Sequence, residues 1–141
     1  MDGGVDISFF RGALKKANIK LEKNWYIRKK NISYQAGDVL EIDGMKDRIG
    51  AYDIIFAFKV IYYLGPEIDE ALENIQNLLS INGLLFITYN FYERCFSSKW
   101  IDPFKLNDKL LDAGFTCHLF EGKHHHDSKE KEVTYYMCYQ K

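Results

Sequence analysis

The chain contains little of several features that mark particular classes of protein. Its 141 residues include only two prolines and three cysteines, and its formal net charge is -1. So few prolines leave no candidate for a Pro-rich linker, and the near-neutral charge gives no general attraction to nucleic acid or to an acidic membrane surface. Three widely spaced cysteines indicate reduced thiols, as is typical of a cytoplasmic protein. We therefore expect one cytoplasmic domain over residues 1–141.

Long apolar runs are also missing. The longest are residues 54–58 and 60–64, which Lys59 separates, and neither could span a bilayer. The first four residues carry one charge, the negative charge of Asp2, and precede no apolar stretch, so no secretory signal is predicted. What the chain does have is 47% hydrophobic and 16% aromatic residues, enough to build a core, while 28% charged residues argue against disorder.

The apolar residues predict alternating strands and helices. Strands are expected at residues 5–7, 32–35, 52–58, 84–89, 116–120 and 132–139. One helix follows Ser8, a second opens at Pro66, and a third stops at Gly114. Such alternation predicts an α/β fold with a mainly parallel sheet and helices on both faces, closed by a C-terminal antiparallel hairpin.

Short motifs follow one another in a recognisable order. They are Gly4-Val5-Asp6-Ile7-Ser8, Gly37-Asp38, Tyr52-Asp53-Ile54-Ile55, Asn82-Gly83-Leu84-Leu85 and Ala113-Gly114-Phe115. This order resembles the class I, Rossmann-like S-adenosylmethionine-dependent methyltransferases. The resemblance implies S-adenosyl-L-methionine as cofactor and a small molecule as methyl acceptor. The alternative is a catalytically inactive domain of this fold that binds or regulates a partner.

The resemblance also implies cofactor-binding residues at the ends of strands, where an open α/β sheet binds its ligand. Asp6 would accept the ribose hydroxyls, and Ile7 would lie against the adenine. Asp38 would accept from the adenine amine, beside the N–H of Val39. The floor of the pocket near the sulfonium would be formed by Phe56, Ala57 and Phe58.

Both carboxylates also have simpler interpretations. Asp6, next to Ser8, could favour a helix N-terminus electrostatically, and Asp38, after Gly37, could be an ordinary turn carboxylate. Tyr62, Tyr89 and Tyr92 are the catalytic candidates, with Tyr63 and Asn90 nearby, and aromatic packing is the alternative role for each.

One feature of the family is missing. Its first strand and Gly-x-Gly-x-Gly loop should lie about 20 residues before Asp6, but five residues precede Asp6 and the chain has no Gly-x-Gly. The fold is therefore expected to lack its usual first strand. Either the neighbouring strands pair directly, or a second copy or partner chain covers the open edge, or the chain is a fragment of a longer enzyme.

Other ligands are weaker hypotheses. The fourth strand lacks the Asn/Asp-Pro-Pro-aromatic motif of nucleic-acid amino-methylases, and no Pro-Cys nucleophile is present. Three consecutive histidines, 124–126, do not converge as metal ligands would on a helix, so no metal site is predicted. A lysine-rich segment over residues 11–30 could contact phosphates, but a solvated helix face is the preferred interpretation because no aromatic stacking platform is evident.

Overall fold

A computed structural model describes residues 37–92, 101–126 and 131–141, without the side chain of Tyr62. The predicted strands at residues 5–7 and 32–35, the lysine-rich helix, and with them Asp6 and Ile7, lie outside these residues.

The described strands form one sheet of four. They are β1 (Tyr52–Phe58), β2 (Leu79–Tyr92), β3 (Thr116–His124) and β4 (Glu132–Gln140), in the order β1-β2-β4-β3. β1 and β2 are parallel, whereas β4 is antiparallel to both of its neighbours. The α/β class and the C-terminal hairpin are therefore confirmed. Within the described residues, β4 makes two antiparallel pairings, because it inserts between β2 and β3. The pairing of β1 with β2 is the one parallel pairing in this part of the chain.

Two α-helices connect the strands in the described part of the chain. α1 spans Ile68–Leu78 and α2 spans Pro103–Asp112. Pro66 lies in a short 3-10 turn, Gly65–Glu67, directly before α1 rather than in its first turn. α2 begins with Asp102, whose side chain accepts from the N–H of Phe104 and Lys105. It ends before Gly114, whose φ of 95° suits glycine.

One face of the sheet carries the main core. Leu85, Ile87 and Tyr89 of β2 alternate toward it, and both helices cover it with their apolar stripes. Lys109 of α2 binds Asp69 of α1 at 2.6 Å, so the helices lie side by side. The buried core residues are Ala57, Ile61, Ile68, Leu72, Ile75, Leu79, Leu85, Ile87, Tyr89, Leu106, Leu110, Phe115, Met137 and Tyr139.

The opposite face has a smaller apolar cluster. Leu84, Phe86 and Cys138 are its buried members, with Phe58 and Tyr136 half-buried beside them. Neither described helix contributes to this cluster. The sequence predicts helices on both faces. A helix on this second face would have to come from residues outside the described ranges.

β2 is longer than its predicted range of residues 84–89. At its start, Tyr52 pairs with Leu79 but Ile54 with Leu84, so extra residues of β2 are accommodated there. Asn82 has a φ of 63°, and a Cβ on Gly83 would lie 2.9 Å from the carbonyl oxygen of Ser80. At its end, β2 continues past β1 because β4 pairs with it as far as Tyr92.

Candidate functional site

The carboxyl ends of the parallel strands define one edge of the sheet. β1 ends there at Phe58, and β2 extends further to Tyr92. Because β4 runs the other way, it begins at this edge with Glu132, and β3 ends there at His124. Ligands of open α/β sheets bind at such an edge, so the chemistry of its side chains decides what the molecule could do.

A cavity of about 630 Å³ lies beside β1. It has the size of a small-molecule site. Three residues that the sequence analysis placed at the cofactor, Asp38, Val39 and Phe56, line it together. The other lining residues are Gly37, Glu41, Gly44, Met45, Arg48 and Ile55.

Asp38 forms the local turn contact with one carboxylate oxygen, and its second oxygen can accept from a ligand. Its Oδ1 accepts from the N–H of Leu40 at 3.0 Å, which is the local turn contact that the simpler interpretation predicted. The side chain is exposed, and Oδ2 has no hydrogen bond to any residue that the structure describes. A turn role for Asp38 is therefore compatible with a second role toward a ligand.

The segment after Asp38 is attached to α1 by a buried amide. Nδ2 of Asn74 donates to the carbonyl of Val39 at 2.8 Å, and Asn74 is only 6% exposed. This contact fixes the peptide of Val39 at the cavity wall. Sequence reasoning missed Asn74, although an asparagine within the apolar stripe of a helix was the available signal.

The aromatic residues of β1 lie on the second face. The ring centroids of Phe56 and Phe58 are 5.2 Å apart, and Phe56 stacks on Phe86 at 5.4 Å. Phe56 is 40% exposed and can offer a ring face to a ligand. Ala57 lies between them in sequence but points into the helix-covered core, because neighbouring strand residues face opposite ways. Ala57 does not line the cavity.

The tyrosine candidates are placed differently from one another. Tyr89 is fully buried and donates its hydroxyl proton to the carbonyl of Ile101 at 2.6 Å, so it serves the core. Tyr63 is 78% exposed on the 3-10 helix Ile61–Tyr63, and the side chain of Tyr62 lies outside the description. Tyr92 lies at the carboxyl edge, where its hydroxyl donates to Oε1 of Glu132 at 3.2 Å.

A connected set of polar side chains lies beside Tyr92. Nδ2 of Asn90 donates to Oε1 of Glu132 at 2.8 Å, and the hydroxyl of Thr134 donates to Oδ1 of Asn90 at 3.2 Å. Nε2 of His125 is 2.8 Å from Oγ1 of Thr134. We call Asn90, Tyr92, His125, Glu132 and Thr134 the edge network. Only Asn90 and Tyr92 of this network were considered as catalytic candidates from the sequence, and His125 was considered only as a metal ligand, because the members are distant in sequence and meet through strand pairing.

The thiol and metal chemistry of the described residues is limited. Neither Cys117 nor Cys138 forms a disulfide among the described residues, and burial raises the pKa of the Cys138 thiol to about 12, so it stays protonated at neutral pH. No group of three or more His, Cys, Asp or Glu in the described ranges could hold a metal ion. Among those residues, no helix is both long and apolar enough to cross a membrane.

Comparison with known proteins gives one sequence match of broad extent. The profile of the methyltransferase domain family matches residues 3–138. No curated protein sequence matches the chain significantly.

Several solved structures share the fold. The (4+2)-cyclase SpnF has a TM-score of 0.65 at 13% identity, over 80% of this chain and 58% of SpnF. The trans-methyltransferase CalH, solved with S-adenosylhomocysteine, has a TM-score of 0.63 at 19% identity, over 94% of this chain and 40% of CalH. The N-methyltransferase NodS from Bradyrhizobium japonicum WM9, also solved with S-adenosylhomocysteine, has a TM-score of 0.59 at 18% identity, over 77% of this chain and 54% of NodS.

These similarities establish the Rossmann-like fold that the sequence predicted. The matches cover between 40% and 58% of the three solved chains. Because one of the three is named a cyclase, the fold alone does not determine the reaction.

Proposed function

Because the chain belongs to the methyltransferase domain family, we propose that it transfers a methyl group from S-adenosyl-L-methionine to a small-molecule acceptor. The observation that carries the proposal is the cavity beside β1, where Asp38, Val39 and Phe56 meet. Bound S-adenosylmethionine supplies an electrophilic methyl group on sulfur. An inactive domain that only binds or regulates a partner is not favoured, since the family match and two of the three solved relatives point to methyl transfer.

The proposed roles follow from the chemistry of the cavity walls. Oδ2 of Asp38 is an acceptor for the exocyclic amine of adenine. The N–H of Val39 is a donor for a ring nitrogen, with the same residue's carbonyl held by Asn74. Phe56 offers an apolar ring face beside them. Three further residues complete the proposed site. Asp6 would accept from the ribose hydroxyls, Ile7 would lie against the adenine, and Phe58 would lie near the methyl group.

Calorimetry with S-adenosylhomocysteine tests the site, and Asp38→Asn is the informative variant. Asparagine keeps an Oδ1 for the N–H of Leu40 but replaces the proposed acceptor Oδ2 by an amide nitrogen. A lost hydrogen bond to a charged group corresponds to roughly 10- to 100-fold weaker binding. The matched control is Asp43→Asn, since Asp43 pairs with Lys46 on the surface and does not line the cavity.

Two results would count against this function. The absence of binding by the unaltered protein would exclude use of this cofactor by the chain. Equal affinities of the Asp38→Asn and Asp43→Asn variants would remove Asp38 from the site and leave the turn role as its only function.

Cytoplasmic location and a partner at the sheet edge are further parts of the proposal. The lack of a disulfide at Cys117 and Cys138, among the residues that the structure describes, supports a reducing compartment. The edge of β1 away from β2 has no strand beside it within residues 37–92, 101–126 and 131–141. Such an edge can pair with a second copy or a partner chain. Sedimentation at several concentrations tests for a dimer.

A further inference from the structure

The hydrogen bonds of the edge network have a fixed direction. A carboxylate only accepts, so the amide nitrogen of Asn90 must face Oε1 of Glu132. Oδ1 of Asn90 then faces Thr134, and the single hydroxyl proton of Thr134 is used for it. Oγ1 of Thr134 can therefore only accept from His125, and Nε2 of His125 must carry a proton.

This direction selects one tautomer of the neutral imidazole. With the proton on Nε2, the lone pair of His125 is on Nδ1. His125 is exposed, whereas Asn90 and Thr134 are 8% and 6% exposed. The network thus connects an accessible proton-accepting nitrogen, through two buried neutral groups, to the carboxylate of Glu132. Every donor points from the histidine toward the carboxylate.

The location of the network matches a role at the ligand edge of the sheet. Asn90 and Tyr92 belong to the part of β2 that extends beyond the last residue of β1, and Glu132 opens β4 at the same edge. Asn90 and Thr134 are directly opposite each other across the strands. Their side chains share the face of Phe58 and Phe86, because residues two apart along a strand face the same way.

We propose that His125 is the proton acceptor for a methyl acceptor with an O–H or N–H group. This rests on the proposed function. The acceptor's oxygen or nitrogen forms a bond to the methyl carbon, the carbon–sulfur bond breaks with its electron pair remaining on sulfur, and the acceptor's proton passes to Nδ1 of His125. Thr134, Asn90 and Glu132 act as positioning residues that hold the ring in the tautomer with Nδ1 unprotonated.

The tautomer can be measured without knowing the acceptor. In 15N-labelled protein, His125 should have a protonated Nε2 with roughly a tenfold preference, as expected for one added neutral hydrogen bond. Thr134→Val keeps the shape of the side chain and removes the hydroxyl, and should abolish this preference. Thr116→Val, at the opposite end of the same strand pair, is the matched control and should leave it unchanged. Protonation of His125 mainly at Nδ1 in the unaltered protein would overturn the assignment.

A second measurement separates a catalytic role from a structural one. Protein saturated with S-adenosylhomocysteine is titrated with phenol or with ethanolamine up to about 50 mM, enough for a site of millimolar affinity. We expect saturable shifts of the His125 ring signals with one of these probes, whereas the signals of His118, which contacts Gln140 at the other end of β3, stay constant.

The outcomes distinguish the two proposals. Binding of S-adenosylhomocysteine with no response of His125 to either probe would overturn the role of His125 and leave the proposed function standing. No binding of S-adenosylhomocysteine would overturn the proposed function, and with it any role of His125 in methyl transfer. A response of His125 that Thr134→Val weakens but Thr116→Val does not would support the inference.

Discussion

The two faces of the four-stranded sheet differ in what their residues do. The face under α1 and α2 is apolar throughout its centre, and its aromatic hydroxyls, on Tyr89 and Tyr139, are used for contacts within the fold. The other face has three buried apolar residues, a half-exposed Phe56 beside the cavity, and the edge network.

This difference indicates a division between stability and chemistry. Burial of apolar area is the main stabilising contribution to a fold, and most of it lies on the helix-covered face. A buried polar network such as Asn90 and Thr134 contributes little net stability even when every member is paired. Such groups on the second face are therefore better explained by function than by folding.

The largest expected effect is on the helix-covered face. Leu106 of α2 is completely buried, and Leu106→Ala should lower the free energy of unfolding by about 2–5 kcal/mol, because it leaves a cavity. Leu111→Ala, in the same helix at a position 43% exposed, is the control and should cost less than about 1 kcal/mol. Urea denaturation measures both, and equal costs would contradict the assignment of stability to this face.

A smaller effect is expected in the edge network. Asn90→Ala removes one partner each from Glu132 and Thr134 and should cost about 1–3 kcal/mol, since the buried hydroxyl of Thr134 loses its acceptor. Glu132 keeps its bond from Tyr92, and Thr134 keeps its bond with His125. Asn77→Ala on the exposed side of α1 is the matched control, with an expected change within about 0.5 kcal/mol. If denaturation shows no loss for Asn90→Ala, these hydrogen bonds contribute nothing to stability.

The stability of the fold at alkaline pH should depend on the buried thiol of Cys138, which lies on the second face. Burial raises the pKa of Cys138 from 9.0 to about 12, so the unfolded chain loses this proton first. The resulting stability is complete below pH 9 and is lost as the pH rises toward 12, by on the order of 1 kcal/mol per pH unit. Tyr139, whose pKa burial also raises, adds to the loss above pH 10.

The control for this titration is Cys138→Val, which removes the thiol and retains an apolar side chain. Its unfolding free energy should fall less between pH 9 and 10 than that of the unaltered protein, since Tyr139 still contributes but the thiol does not. The same slope in both proteins would assign the effect to other groups.

Much of the fold was predictable because its signals are local. The apolar run of β1 and the stripe of α1 determine these elements over a few residues each. The stop of α2 is equally local, because Gly114 adopts a φ of 95° that other residues avoid. Asp38 and Phe56 were predicted to be near each other from the order of motifs, and they do line one cavity.

The limits of prediction appear where strands meet. Residues 79–83 were not assigned to β2 because Asn82-Gly83 is typical of a turn, yet β2 begins at Leu79, which pairs with Tyr52, and residues 80–83 form an irregularity before pairing resumes at Leu84. His124 was placed in a loop, but pairing with Val133 extends β3 to include it. The extent of a strand depends on its neighbours as well as on its own sequence.

By itself, the sequence determined the order of the described strands and helices and the family, and it predicted the chemical groups that a nucleoside site would need. Only the tertiary structure decided that β4 lies between β2 and β3, and hence that Asn90 and Thr134, 44 positions apart, form one hydrogen bond. Periodicity reports which face of an element is buried. Register between strands depends on the packing of the whole sheet, and the edge network exists because of that register.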